Sequence, residues 1–105
     1  MTTFDDRKDA FEKKHAHDQE TAFKVTARRN KLLGLWVAEH IGLSGDAAEA
    51  YAKDVVAADF EEAGDEDVIR KVLADLAAKQ VDLSEHRVRA RLSELADEAR
   101  KQIMG

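Results

Sequence analysis

Four histidines, a dense run of carboxylates and three serines are the side chains of this chain best suited to chemistry. Metal binding is the first use to test. His15 and His17 are two residues apart, so on a helix they point about 200° away from each other and cannot grip one ion. His15 with Asp18 supplies two ligands, fewer than a zinc site needs. The stretch "DFEEAGDEDV", Asp59 to Val68, holds six carboxylates in ten residues. An EF-hand loop needs ligands at alternate positions, a central glycine and a closing glutamate. Here the acids straddle the end of one helix and the start of the next, where they cap and solubilise. Ser44, Ser84 and Ser93 find only His86 nearby, and it follows Ser84 too closely to face it. "GLSGD" is a turn, not a phosphate loop. The absence of cysteine excludes thiol chemistry, disulfides and thiolate-bound metals. No catalytic centre and no metal site are expected, and the chain reads as a non-enzyme.

Nucleotide binding leaves three candidates. Trp36 and Tyr51 have rings on which a base stacks, and Asp59 stands beside the apolar stripe of Val55, Val56 and Phe60. They are the residues for weak ATP or ADP binding, although Trp36 inside "LLGLWV" reads first as core. The basic cluster at Ala27–Arg29 with Lys31 reads as a solvated helical face.

The elements that must position these residues are helices. There is no proline, and five glycines punctuate 105 residues. The first helix is expected from about Phe4 to Ile41, roughly 55 Å if unbroken. Its last third, "KLLGLWVAEHI", is dense enough in apolar residues to sit in mid-core. Its first half carries only Phe4, Phe11, Ala22, Phe23 and Val25 at intervals. A second helix, capped by Ser44 or Asp46, continues to about Glu62, and its alanines permit close approach of a neighbour. Asp65 is placed to cap the third, in which Val68, Ile69, Val72, Leu73 and Leu76 recur at helical spacing. Ser84 caps the fourth, with its stripe of Val88, Leu92, Leu95, Ala99 and Ile103. Short connections make neighbours antiparallel. The fold class is all-α: a four-helix bundle, residues 21–105, led by a long N-terminal helix whose first half, residues 1–20, is a mobile segment.

Charge is uneven along the chain. Residues 1–30 carry a net +1, whereas the rest carries −6. An acidic body lacks the basic face with which proteins displace counterions from nucleic acid. No apolar stretch approaches the ~20 residues of a membrane span, and none resembles a signal peptide. A cytoplasmic protein, monomeric when free, is the expectation.

What remains is the leading stretch, "TTFDDRKDAFEKKHAHDQE". Phe4 and Phe11 are seven apart and share one helix face, and His15 and Ala22 continue the line. Charges of both signs surround them, with Asp9 and Lys13 at i, i+4 adding only a few tenths of a kcal/mol. Helix nucleation is costly, so a loosely held segment of this kind is partly disordered alone. Sparse apolar anchors among orientable charges fit the helix-in-groove mode of recognition.

Three strings, "FDDRKDAFEKKHAHDQE", "ARRNKLLGLWVAEHIG" and "AYAKDVVAADFEEAGDEDVIRKV", closely resemble the small zeta family of alphaproteobacterial ATP synthases. The resemblance covers Phe4 to about Leu76; the fourth helix matches in length and pattern. It implies a four-helix bundle whose N-terminal segment becomes helical on binding and inhibits the F1-ATPase. That helix would wedge at a catalytic interface of α and β subunits, near γ, and block hydrolytic rotation. Carried onto this chain, Phe4 and Phe11 would be the anchors. Asp5, Asp6, Arg7, Lys8, Glu12, Lys14 and His15 would supply the other partner contacts. The protein would be membrane-associated only through the synthase. This sequence departs from the family's pattern at His15, where phenylalanine is usual, and at Lys8 and Asp9, where an acidic then a basic residue is usual. Adenine-nucleotide binding is also associated with the family. A small nucleotide-binding sensor with little inhibitory activity is therefore the alternative reading.

Overall fold

The computed structural model describes residues 3–58 and 65–104, with side chains from Glu20 onward. Four helices follow in order: α1 (Thr3–His40), α2 (Gly45–Ala58), α3 (Glu66–Ala78) and α4 (Glu85–Met104). No strand occurs among the described residues. The expected end of the second helix, with Asp59, Phe60 and Gly64, lies outside them.

Nothing in "TFDDRKDAFEKKHAHDQETAFKVTARRNKLL" breaks a helix, so α1 runs for 38 residues, about 57 Å at 1.5 Å each. It sets the long dimension of the molecule, 65 Å against 25 and 21 Å across. The helix stops where Gly42 takes φ +83°. Leu43 N–H donates to the Ala38 carbonyl at 2.8 Å and Gly42 N–H to that of Glu39 at 3.2 Å. This double closure satisfies carbonyls that the helix end would otherwise orphan, and glycine takes the left-handed position without a Cβ penalty. The end of α3 closes in the same way, Val81 N–H reaching the Leu76 carbonyl at 2.9 Å. There the left-handed residue is Gln80, at φ +59°.

Leu33 and Val37 of α1 meet Val55 of α2, Val68, Ile69, Val72 and Leu76 of α3, and Val88, Leu92 and Leu95 of α4. Burying each such side chain contributes about 1.5–3 kcal/mol. Leu32, Trp36, Ile41 and Leu73 lean on this core, partly buried. Gly34 makes a close crossing: a Cβ there would lie 2.6 Å from the Ala52 Cα. The glycine inside the apolar run and the alanine stripe of α2 are thus two sides of one contact.

Asp46, one of the two candidates to cap the second helix, lies inside the first turn of α2. The Ser84 Oγ accepts the Arg87 N–H at 3.1 Å, as its sequence position predicts. Asp65 occupies the N-cap position of α3 but makes no side-chain cap bond; its carboxylate is turned to Arg29 instead.

Candidate functional site

The basic string at residues 27–31 is a set of braces between helices, not a solvated face. Arg28 Nε donates to the Gln102 side chain on α4. Arg29, whose side chain is only 12% exposed, holds Asp65 at 2.8 Å. It also donates twice to the Oδ1 of Asn30, at 2.9 and 3.1 Å. Lys31 reaches Glu49 of α2 at 3.7 Å. Asn30 is fully buried, and Arg29 fixes its amide so that Nδ2 has no partner among the described residues. Sequence reasoning passed over Asn30, although it shares a helix face with Leu33, Gly34 and Val37. Asp67 was likewise read as a surface acid. It is buried at the start of α3, accepting from Arg70 at 3.1 Å. Arg89 adds a second tie to that helix start, pairing with Glu66 at 2.9 Å and with Glu85 at 3.1 Å. The Arg89 bond and charge hold the Glu66 carboxyl below its ordinary range.

The aromatic candidates for base stacking are not brought together. Tyr51 donates its hydroxyl to Asp75 Oδ2 at 2.7 Å. Lys71 shares that carboxylate oxygen at 3.2 Å and lies 5.4 Å from the tyrosine ring centre. Burial, then the Asp75 bond and the charges of Asp75 and Asp54, push the Tyr51 hydroxyl well above an ordinary phenol. Its ring is thus engaged between α2 and α3. Trp36 faces elsewhere. His40 packs edge-on against it with centroids 4.7 Å apart, and the Arg91 guanidinium of α4 lies 5.9 Å from its ring centre. Trp36 and Arg91 line an open cavity of about 410 Å3 with Leu32, Ser44, Gly45 and Leu95. Asp59 lies outside the described residues.

The leading half of α1 is helical from Thr3. The side chains proposed from sequence to meet a partner, Phe4 to His15, lie outside those described. Where side chains resume, the environment differs from that of the core. Thr21, Ala22, Val25 and Thr26 line a shallow cavity of about 370 Å3 together with Arg100 and Met104. Phe23, Ile103 and Met104 are the exposed large apolar residues among those described. No group of three or more potential metal ligands occurs among the described residues. No described helix is long and apolar enough to cross a membrane.

A family model described as ATPase inhibitor subunit zeta matches residues 1–102. A search of curated proteins gives no match. Among solved structures, one described only as a solution NMR structure is 60% identical, with a TM-score of 0.71. The match covers 78% of this chain and 93% of that one.

Proposed function

We propose that this chain, which belongs to the ATPase inhibitor subunit zeta family, inhibits the F1 sector of an ATP synthase with its N-terminal helix. The carrying observation is that the family match begins at residue 1 and so takes in the leading half of α1. In this reading residues 1–20 are the inhibitory segment and residues 21–105 are its mount. The segment enters a catalytic interface between α and β subunits, close to γ, and obstructs rotation in the hydrolytic direction. Phe4 and Phe11 fill pockets, each contributing about 1.5–3 kcal/mol before the entropy of ordering is subtracted. Asp5, Asp6, Arg7, Lys8, Glu12, Lys14 and His15 fix register through polar contacts. Mobile when free, the segment takes firm hold only in that groove. No chemistry by this chain is required. The protein works in the cytoplasm, held at the membrane only by its partner.

The test is ATP hydrolysis by the cognate F1, titrated with the intact chain and with one lacking residues 2–19. Deletion should abolish inhibition and leave the thermal unfolding of the bundle unchanged, because every buried core residue named above lies downstream. Inhibition by the truncated chain would overturn the reading. One observation favours a second role, a nucleotide sensor: Trp36 and Arg91 share an open cavity beside the start of α2. A saturable change in Trp36 fluorescence with micromolar ATP is expected on that reading, and a flat titration removes it.

A further inference from the structure

The core closes where α1 is flanked by α2, α3 and α4, and Arg29 marks the limit of α3, because it holds Asp65 just before that helix begins. One turn and more toward the N-terminus, among the described residues, α4 alone runs beside α1, antiparallel to it: Trp36 lies by Arg91, Arg28 by Gln102, and Ala22 by Met104. Two helices cannot enclose an apolar seam. The stripe of α4 is buried at Leu92, Leu95 and Ala99, but Ile103, the next residue along it, is 38% exposed, and Met104, on the adjoining face that lines the cavity with Ala22, is 65% exposed. Two of the charged pairs around this end are internal, Lys24 with Glu20 at 3.3 Å and Arg100 with Asp97 at 3.2 Å. Ala22, Val25 and Met104 are the apolar side chains that line the seam.

Helix geometry identifies the occupant. At 100° per residue, positions 4, 11, 15 and 22 fall within about 40° of one another on α1. Ala22 is the one of these that lines the seam with Met104. The face that carries the two phenylalanine positions thus runs without a break into the cavity formed with α4. Gln19 is about 4.5 Å along the axis from Ala22. A protein that receives the leading helix on this face up to Gln19 must bring its rim against the end of α4.

We propose that this two-helix end, centred on Ala22, Val25, Ile103 and Met104, is a second docking surface, and that it packs against an apolar rim of the same ATPase groove that receives the leading helix. The inference rests on the inhibitory reading above, and it adds a contact made by the last turn of α4. The rim completes the layer that the described residues leave open.

The experiment titrates hydrolysis by the cognate F1 with full-length Met104→Lys, Met104→Leu and Phe11→Ala variants, and follows the sedimentation and thermal unfolding of each. Met104→Lys should raise the half-inhibitory concentration roughly tenfold, as expected for losing much of one buried methionine, with unfolding unchanged. Met104→Leu should inhibit like the parent chain. If Met104→Lys inhibits normally while Phe11→Ala is weakened, the second surface is overturned and the inhibitory reading stands. If neither variant is weakened, the inhibitory reading falls with it. A parent chain that sediments as a dimer, and a Met104→Lys chain that sediments as a monomer, would assign the seam to a second copy and overturn the proposal. Should Met104→Lys lower the unfolding temperature, a photo-crosslinker at position 104 decides the matter: capture of an ATPase subunit supports the surface, and no capture overturns it.

Discussion

The two halves of α1 are one helix built on two principles. From Asn30 to His40 it is held by shape: Gly34 admits the backbone of α2, Leu33 and Val37 are fully buried, and three helices close around it. From Thr3 to Thr26 it is a helix by composition, with no breaker and charges of both signs, and α4 is its described neighbour only near the end. Propensity alone leaves a helix marginal in water, whereas packing of an apolar face fixes it. One secondary structure is thus held by tertiary packing at one end, its foundation, and by local composition at the other. A substitution in the foundation should change stability and leave potency alone wherever the protein is still folded. One in the leading half should do the reverse.

The largest break on the foundation side is Gly34→Ala. Its Cβ would meet backbone of Ala52 at 2.6 Å, with the Ala52 and Val55 Cβ atoms at 3.2 and 3.3 Å. No rotamer change relieves a clash with backbone, so α1 and α2 must separate. Overpacking of this kind costs about 3 kcal/mol, and alanine's better helix propensity returns about 1. Urea denaturation should show a net loss of about 2 kcal/mol. A variant as stable as the parent would show that the crossing is looser than described. The half-inhibitory concentration should not move while the bundle remains folded.

A smaller break tests the boundary between the halves. Arg29→Ala removes the pair with Asp65 and both bonds to Asn30 Oδ1, leaving a buried amide with no described partner on either atom. An orphaned buried acceptor costs about 1–2 kcal/mol. The loss should concentrate at the start of α3, where amide hydrogen exchange from Val68 to Val72 should accelerate more than exchange around Leu33. Uniform acceleration would mean that Arg29 braces the whole bundle, not one junction.

How much of this was legible in the residues depends on which force decides each position. Helix number, order and the core stripes were, because apolar spacing and caps are local signals: Val68 to Leu76 and the Ser84 cap are where periodicity put them. The role of Asp65 was not, since its carboxylate serves Arg29, thirty-six residues away, and nothing local announces a tertiary partner. For the same reason "ARRNK" read as a solvated face. The buried Asn30 left a trace, its helical register with Leu33 and Val37, that polarity alone obscured. Trp36 and Tyr51 looked like companions because both are aromatic and amphipathic. Which neighbour each meets is set by the rotation of α1 and α2 about their axes, and that sends one ring to Arg91 and the other to Asp75.

The smallest effect at neutral pH, and the most selective, is at Tyr51. Tyr51→Phe removes one hydroxyl–carboxylate bond, worth about 1 kcal/mol, and Asp75 keeps Lys71 as a partner. Alkali enlarges the difference with a sign fixed by linkage. Burial and the neighbouring carboxylates raise the folded-state pKa of the Tyr51 hydroxyl above its ordinary value of 10.0. The unfolded chain therefore loses this proton before the folded one does. The hydroxyl's contribution is complete below pH 10 and declines as pH rises through that value toward the folded-state pKa. Parent stability should fall from pH 9 to 11 more steeply than that of Tyr51→Phe. Because the chain has a single tyrosine, phenolate absorbance reads this site without interference. It should lag behind that of the urea-unfolded chain. Coincident titration curves would show that the hydroxyl is solvated, and would put the α2–α3 contact on the loosely held side of the comparison.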